Sequence, residues 1–502
     1  MVRRAVVVLV AGLAMVAGWL VSASPAEAAS PDLTLERTRA NVTFTRYESD
    51  DYNWTEGSLG VYAVSGKRPF KVTAKRSSYK KPIVAKLVRP GKDKKLPTPS
   101  DFTGLAKFYT TTFTNSAGKV VAKTTSSFCP NSENPVRRRA SAPATSPFPS
   151  DCNSWNPYTL GAVWGIQQGY AAPLGNTGLE DLPSGKYTAT VTIAPAYRKA
   201  LGLSKSQATA KVKVTVEVEQ FDECDEDPDA CMAQLRGKAN GNSDQTVAAT
   251  RQPTKLTGQR AKKPSGPLPD LRSLPAWDIQ VEDGRYLNFS ATVWNAGPGP
   301  MVVDGFRSKK NPNLMKAYQY FFTKSGKQKG YAPVGGMEWD ARDGHDHWHF
   351  QDFASYQLVD SKKKFVALSS KEAFCLANTD AVNYLVKGAN WKPTNTDLHT
   401  SCGTRESIGV REVLDSGSGD TYVQSLPGQS FDLKGLRNGT YFIKIKANPD
   451  KRLYERKTSN NTSYRKVVIG GREGARTVKV AKVGIIKEMP SFYGAERDHG
   501  MR

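Results

Sequence analysis

Short runs of alternating apolar and polar residues, broken by glycine, proline, asparagine and serine, fill much of this chain. Thr188-Ala189-Thr190-Val191-Thr192-Ile193 and Lys211-Val212-Lys213-Val214-Thr215-Val216-Glu217-Val218 place every second side chain on one apolar face. A period of two predicts strands with one buried side, and the frequent turn residues between them predict antiparallel pairing. The pattern holds over about residues 31–220 and lapses over 221–266. There Asn240-Gly241, Gln252-Pro253 and Lys262-Lys263-Pro264 accompany little apolar content, so the stretch reads as a flexible polar linker. Strand-like runs resume at Leu268-Pro269-Asp270-Leu271 and continue in Tyr286-Leu287-Asn288-Phe289-Ser290-Ala291-Thr292-Val293-Trp294 and in residues 354–359 and 439–448. The expectation is an all-β chain. Two β-sandwich-like domains, residues 31–220 and 267–470, are joined by the linker, and residues 471–502 form a basic C-terminal tail.

The two domains share a segment. Leu182-Pro-Ser-Gly-Lys-Tyr187-Thr-Ala-Thr-Val191-Thr-Ile-Ala-Pro195 lines up without gaps on Leu436-Arg-Asn-Gly-Thr-Tyr441-Phe-Ile-Lys-Ile445-Lys-Ala-Asn-Pro449. A duplicated unit and convergence on a glycine turn followed by a strand both explain this, and the sequence leaves the choice open.

Arg3-Arg4, an apolar run over residues 5–21 and the small residues of Ala26-Glu27-Ala28-Ala29 follow the order of a secretory signal peptide, expected over residues 1–28. An uncleaved anchor is the alternative, since the run is close to bilayer-spanning length. No cysteine follows it to carry a lipid, and no stable membrane span is expected once the signal is removed. A secreted, extracellular or cell-wall-associated protein meets an oxidising compartment, and the six cysteines agree. They fall into three neighbouring pairs, Cys129 with Cys152, Cys224 with Cys231 and Cys375 with Cys402, and proximity favours this local pairing.

The formal charge of +24 points to anionic cell-wall polymers, lipid headgroups or acidic proteins as partners. Nucleic acid is not expected, because the lysines are scattered over strand-like segments rather than gathered with aromatics on one element. The N-terminal domain, basic and without histidine, reads as a recognition or anchoring unit.

Chemistry concentrates in Gly344-His345-Asp346-His347-Trp348-His349-Phe350, which holds three of the five histidines two residues apart. In a strand, His345, His347 and His349 share one face and Asp346, Trp348 and Phe350 the other. Three neutral imidazoles suit copper, zinc, nickel or iron and leave coordination positions for water, oxygen or substrate, so a reactive metal is expected.

Around this strand, Glu338-Trp339, His345-x-His347-Trp348-His349, Phe353-x-x-Tyr356-x-Leu358 and Lys371-Glu372-Ala373-Phe374-Cys375-Leu376 follow in order. The set resembles the catalytic domain of the lysyl oxidases, in which a Glu-Trp pair precedes an H-x-H-[YW]-H copper motif and a K-x-x-F-C-L motif follows. Asp420-Thr421-Tyr422, Gln429, Phe431-Asp432-Leu433, Gly439-Thr440-Tyr441, Asn448-Pro449, Glu455 and Asn460-Asn461 are similar to that family's D-T-Y segment and closing strands. The likeness covers about residues 268–470.

The resemblance implies copper on His345, His347 and His349, and a lysine tyrosylquinone cofactor made from Lys371 and Tyr422. It implies oxidation of primary amines, protein lysine side chains among them, to aldehydes, with oxygen consumed and hydrogen peroxide and ammonia released. Lys371 must lose its proton to attack the oxidised ring, which burial arranges by lowering its pKa, and Tyr422 must lie beside the metal. For the general base, Asp352 follows the histidine strand and Asp420 shares a face with Tyr422; either also fits a turn or cap. Vertebrate relatives carry a histidine where Ser355 stands, so no role for that imidazole transfers. Two alternatives remain: a non-catalytic copper-binding, wall-associated β-protein, and a zinc hydrolase using the same ligands with an aspartate base.

Overall fold

The computed structural model describes residues 32–48, 53–132, 135–152, 155–175, 182–220, 259–260, 264–341, 347–369, 373–392, 398–426 and 428–488. Among them the chain is all-β apart from one short helix.

In the N-terminal domain a six-stranded sheet runs in the order Asn53–Glu56, Asn41–Glu48, Thr209–Gln220, Gly185–Ile193, Leu105–Asn115, Val120–Phe128. The alternation in Thr209–Gln220 works as the sequence predicts: Val212, Val214 and Val216 are buried while Lys211 and Lys213 face out. Two four-stranded sheets pack with it around Phe44, Phe70, Phe108, Phe113 and Trp164. The helix, Pro195–Leu201, departs from the expected all-strand pattern. Pro195 occupies the first turn, where its missing N–H costs nothing, and Gly202 ends the helix in the left-handed region at φ 71°. Tyr197 and Leu201, one turn apart, are its buried residues.

The second domain is a sandwich. One layer runs Ala373–Phe374, His347–Gln351, Gln328–Asp340, Leu314–Phe322, Met301–Arg307, Gly409–Leu414, with Gln259–Arg260 pairing onto Gln328–Asp340. Facing it are two further sheets. The first is Leu271–Ser273, Tyr286–Asn295, Ser418–Tyr422, Asp380–Ala381; the second is Phe365–Leu368, Ala354–Asp360, Gly439–Ala447, Thr462–Arg472, Ala475–Val480. Trp348, Phe350, Phe374, Phe289, Tyr356, Ile443 and Ile445 fill the space between, each burial contributing roughly 1.5–3 kcal/mol. The expected tail from residue 471 instead begins as the second arm of a hairpin, Thr462–Arg472 with Ala475–Val480, turned by Gly471 and Gly474 at positive φ.

The shared segment occupies equivalent places. Gly185–Ile193 lies between two antiparallel neighbours, as does Gly439–Ala447. Each opens on a glycine at φ 152° or 158°. Two residues on, Tyr187 donates its hydroxyl to the Pro183 carbonyl at 2.8 Å and Tyr441 to Arg437 at 2.7 Å. This corner is built twice in the same register, which a duplicated unit and convergence on a common β-sandwich corner both explain.

The two domains pack directly against each other, while most of the expected linker lies outside the described residues. Tyr158, Trp155 and Leu160 of the first join Leu274, Trp277, Trp294 and Val382 of the second in one apolar cluster. The Leu160 N–H donates to Val382 at 2.7 Å and the Tyr384 N–H to Gly161 at 2.9 Å.

Candidate functional site

The histidine strand, His347–Gln351, forms because every second residue is apolar and has a core to enter. Trp348 and Phe350 are fully buried in the sandwich, and the Trp348 indole N–H donates to Thr404 at 2.9 Å. His347 and His349 therefore point to the other side of the sheet. Across the ladder they face Asp340 and Glu338, which share that side. The Nε2 atoms of the two imidazoles approach to 2.9 Å, and Nδ1 of the buried His349 stands 3.1 Å from an Asp340 oxygen.

These donors fit a metal. Two imidazole nitrogens converging at 2.9 Å on one face of the sheet are donors of the kind that hold copper, zinc, nickel or iron. A carboxylate on the far nitrogen is the usual device for orienting a metal-bound imidazole. The third expected ligand, His345, lies outside the described residues, and among those residues no cluster of three or more metal-ligating side chains is present.

Tyr422 ends the strand Ser418–Tyr422, whose five residues are all buried. Alternation sends Asp420 and Tyr422 toward the sandwich core and Thr421 the opposite way. The Tyr422 hydroxyl donates to the carbonyl of Cys375 at 3.0 Å, and its ring meets Phe374 edge-on at 5.0 Å. Burial raises the phenol well above its usual pKa, and the negative charge of Asp420 adds to the shift. Lys371 lies outside the described residues, four positions before Cys375. Cys375 is bonded to Cys402, and Cys129 to Cys152, as the spacing predicts; Cys224 and Cys231 lie outside the described residues.

One carboxyl was not anticipated. Glu412, in Gly409–Leu414, is fully buried on the core side and accepts from the Leu376 N–H at 2.9 Å. Burial raises its pKa well above the usual range despite that donor, and Asp420 raises it further. The clue is two charged residues in the apolar run Gly-Val-Arg411-Glu412-Val-Leu. Arg411 is matched on the opposite face, donating twice to the buried Asp304 at 2.7 Å.

Two placements bear on the expected site. Asp352 sits in a turn at φ 60° with its exposed carboxylate paired to Arg452 at 2.8 Å. Tyr422 shares a core with Trp348 and Phe350, whereas His347 and His349 lie on the reverse of that sheet. The tyrosine and these two imidazoles are thus not side by side, because the aromatic ring follows the apolar face of the strand and the imidazoles follow the polar one.

Residues 306–477 match the family model described as lysyl oxidase. This region is similar to the lysyl oxidases. The match spans the histidine strand, the Cys375 segment and the strand of Tyr422, and an amine oxidase kind of function goes with it. The match does not extend to the N-terminal domain, which lies before residue 306. No curated protein matches the chain. Among the described residues no helix is long and apolar enough to cross a membrane.

Proposed function

We propose that the chain is an exported copper-dependent amine oxidase acting on primary amines, protein lysine side chains among them, through a quinone made from Lys371 and Tyr422. The observation that carries this reading is the hydrogen bond from the Tyr422 hydroxyl to Cys375, which ties the tyrosine to the segment following Lys371 inside the region similar to the lysyl oxidases. Copper on His345, His347 and His349 supplies oxygen activation, and the quinone supplies the electron sink by which an amine leaves as aldehyde and ammonia with release of hydrogen peroxide.

The chain's own groups have separable tasks on this reading. His347 and His349 would hold a copper ion, and Asp340 would orient His349 through Nδ1. Glu412 lies buried in the core, where burial and the nearby Asp420 raise its carboxyl well above the usual range. Asp420 is the carboxylate on the Tyr422 strand that accepts the proton from the carbon next to the amine. The formal charge of +24 supports anionic wall polymers as partners outside the reaction.

The position of the imidazoles on the reverse of the sheet from Tyr422 favours a second reading, a non-catalytic copper-binding protein of the cell wall. Purified protein loaded with copper in air separates the two. The oxidase develops a visible quinone absorption, stains for redox cycling and releases peroxide with a primary amine. The second reading binds copper fully and does none of these.

A further inference from the structure

The strand that carries Asp420 and Tyr422 has two faces, and the second is covered from outside the region similar to the lysyl oxidases. Thr421, between those two residues, points away from the sandwich core to a buried polar cluster. Its hydroxyl lies 2.6 Å from that of Thr292 and is bonded to the Asp380 carboxylate, while its N–H donates to Thr379 at 2.8 Å. Asn156 of the N-terminal domain, 2% exposed, completes the cluster. Its amide nitrogen donates to Thr292 at 2.8 Å and stands 3.5 Å from both Asp380 and Thr421.

Asn156 is itself held rigidly. Its carbonyl oxygen Oδ1 accepts from the Tyr158 N–H at 3.0 Å, and its backbone carbonyl accepts from Thr159 at 3.1 Å. Beside it, Trp155 packs edge-on against Trp277 at 5.4 Å, and Asp380–Ala381 pairs with the strand of Tyr422 on one side while residues 382–384 bond to Leu160 and Gly161 on the other. Removing the N-terminal domain would leave Thr292, Thr421 and Asp380 facing water along the back of the strand that bears the phenol.

We propose that Asn156 is a positioning residue for the amine-oxidase site, delivered by the N-terminal domain to fix the strand Ser418–Tyr422 from behind. The N-terminal domain is then a structural half of the site and not only a recognition unit. The role assigned to Tyr422 rests on the amine-oxidase reading; the placement of its strand does not.

Two readouts on the full chain test this. The first is hydrogen exchange in Asn156→Ala: amides of Ser418–Tyr422 are expected to exchange on the order of tenfold faster, with Thr462–Arg472 and Thr209–Gln220 unchanged. The second is the yield of the Lys371–Tyr422 cross-link after copper loading, expected to fall per mole of folded protein. Should Asn156→Ala fail to fold, Gly161→Ala opens the same seam, since a methyl there meets the Asn383 side chain and, at 3.0 Å, Leu385. Unchanged exchange at Ser418–Tyr422, or a uniform rise in every strand, overturns the proposal. A wild-type protein with no cross-link refutes the oxidase reading and leaves the exchange result standing.

Discussion

Nδ1 of His349 stands 3.1 Å from the carboxylate of Asp340, on the face of the sheet where the His347 and His349 Nε2 atoms converge. A carboxylate in this place fixes which ring nitrogen carries the proton and so which one is free to bind metal. Asp340→Asn is therefore expected to weaken copper affinity by roughly 10–100-fold while leaving the far-ultraviolet spectrum of the β-fold unchanged. Competitive copper titration checks it. An unaltered affinity would remove His349 from the ligand set.

Glu412 gives a prediction of sign as well as size. Its folded pKa lies well above the usual 4.5, so the protonated form is the one the fold prefers. Its contribution to stability is complete below 4.5 and is lost as pH rises toward the raised folded value. Glu412→Gln keeps the shape and the acceptor for Leu376 without the titration. The variant is expected to match the wild type near pH 5 and to exceed it by pH 9 in urea unfolding. A variant less stable by more than about 2 kcal/mol at neutral pH would show an ionised Glu412 with a charged partner.

Asp415 behaves alike in a narrower window. Burial pushes its carboxyl up from 3.8 to about 6 against the donors Asn378 and Asn390. Wild-type stability should fall as pH climbs from 3.8 through about 6, by on the order of 3 kcal/mol at most. Asp415→Asn is expected to abolish that part of the slope. Identical slopes in the two proteins would contradict it.

Asp352 is expected to be dispensable. Its pair with Arg452 is exposed on both sides, a contact worth about 0–1 kcal/mol. Asn tolerates the left-handed turn, so Asp352→Asn should leave kcat and KM for a primary amine unchanged. A large loss of kcat with KM preserved would restore Asp352 as the base.

What the chain reveals by itself depends on how local each cause is. Alternation is a neighbour-to-neighbour signal, so the all-β class and the two faces of His347-Trp348-His349-Phe350 are readable from residues alone. The close pairs Cys129–Cys152 and Cys375–Cys402 are readable for the same reason. The helix Pro195–Leu201 was announced by Pro195 and Gly202, but seven residues inside a run of strands give a weak 3.6-residue period. Which layer covers each face of the histidine strand is decided by distant segments, hence the separation of Tyr422 from the imidazoles was not legible. Nor was Asn156, whose partners Thr292, Asp380 and Thr421 lie 136, 224 and 265 positions away. Glu412 is intermediate: a charged residue in an apolar strand is visible, but only packing shows that it faces the core while Arg411 faces Asp304.

The most direct test of the central claim is a peptide map by mass spectrometry of full-length protein loaded with copper in air. The expected result is a peptide in which the Lys371 segment and the Tyr422 segment are covalently joined, absent from protein kept free of copper. Recovery of both segments only as separate, unmodified peptides from fully copper-loaded protein would contradict the account.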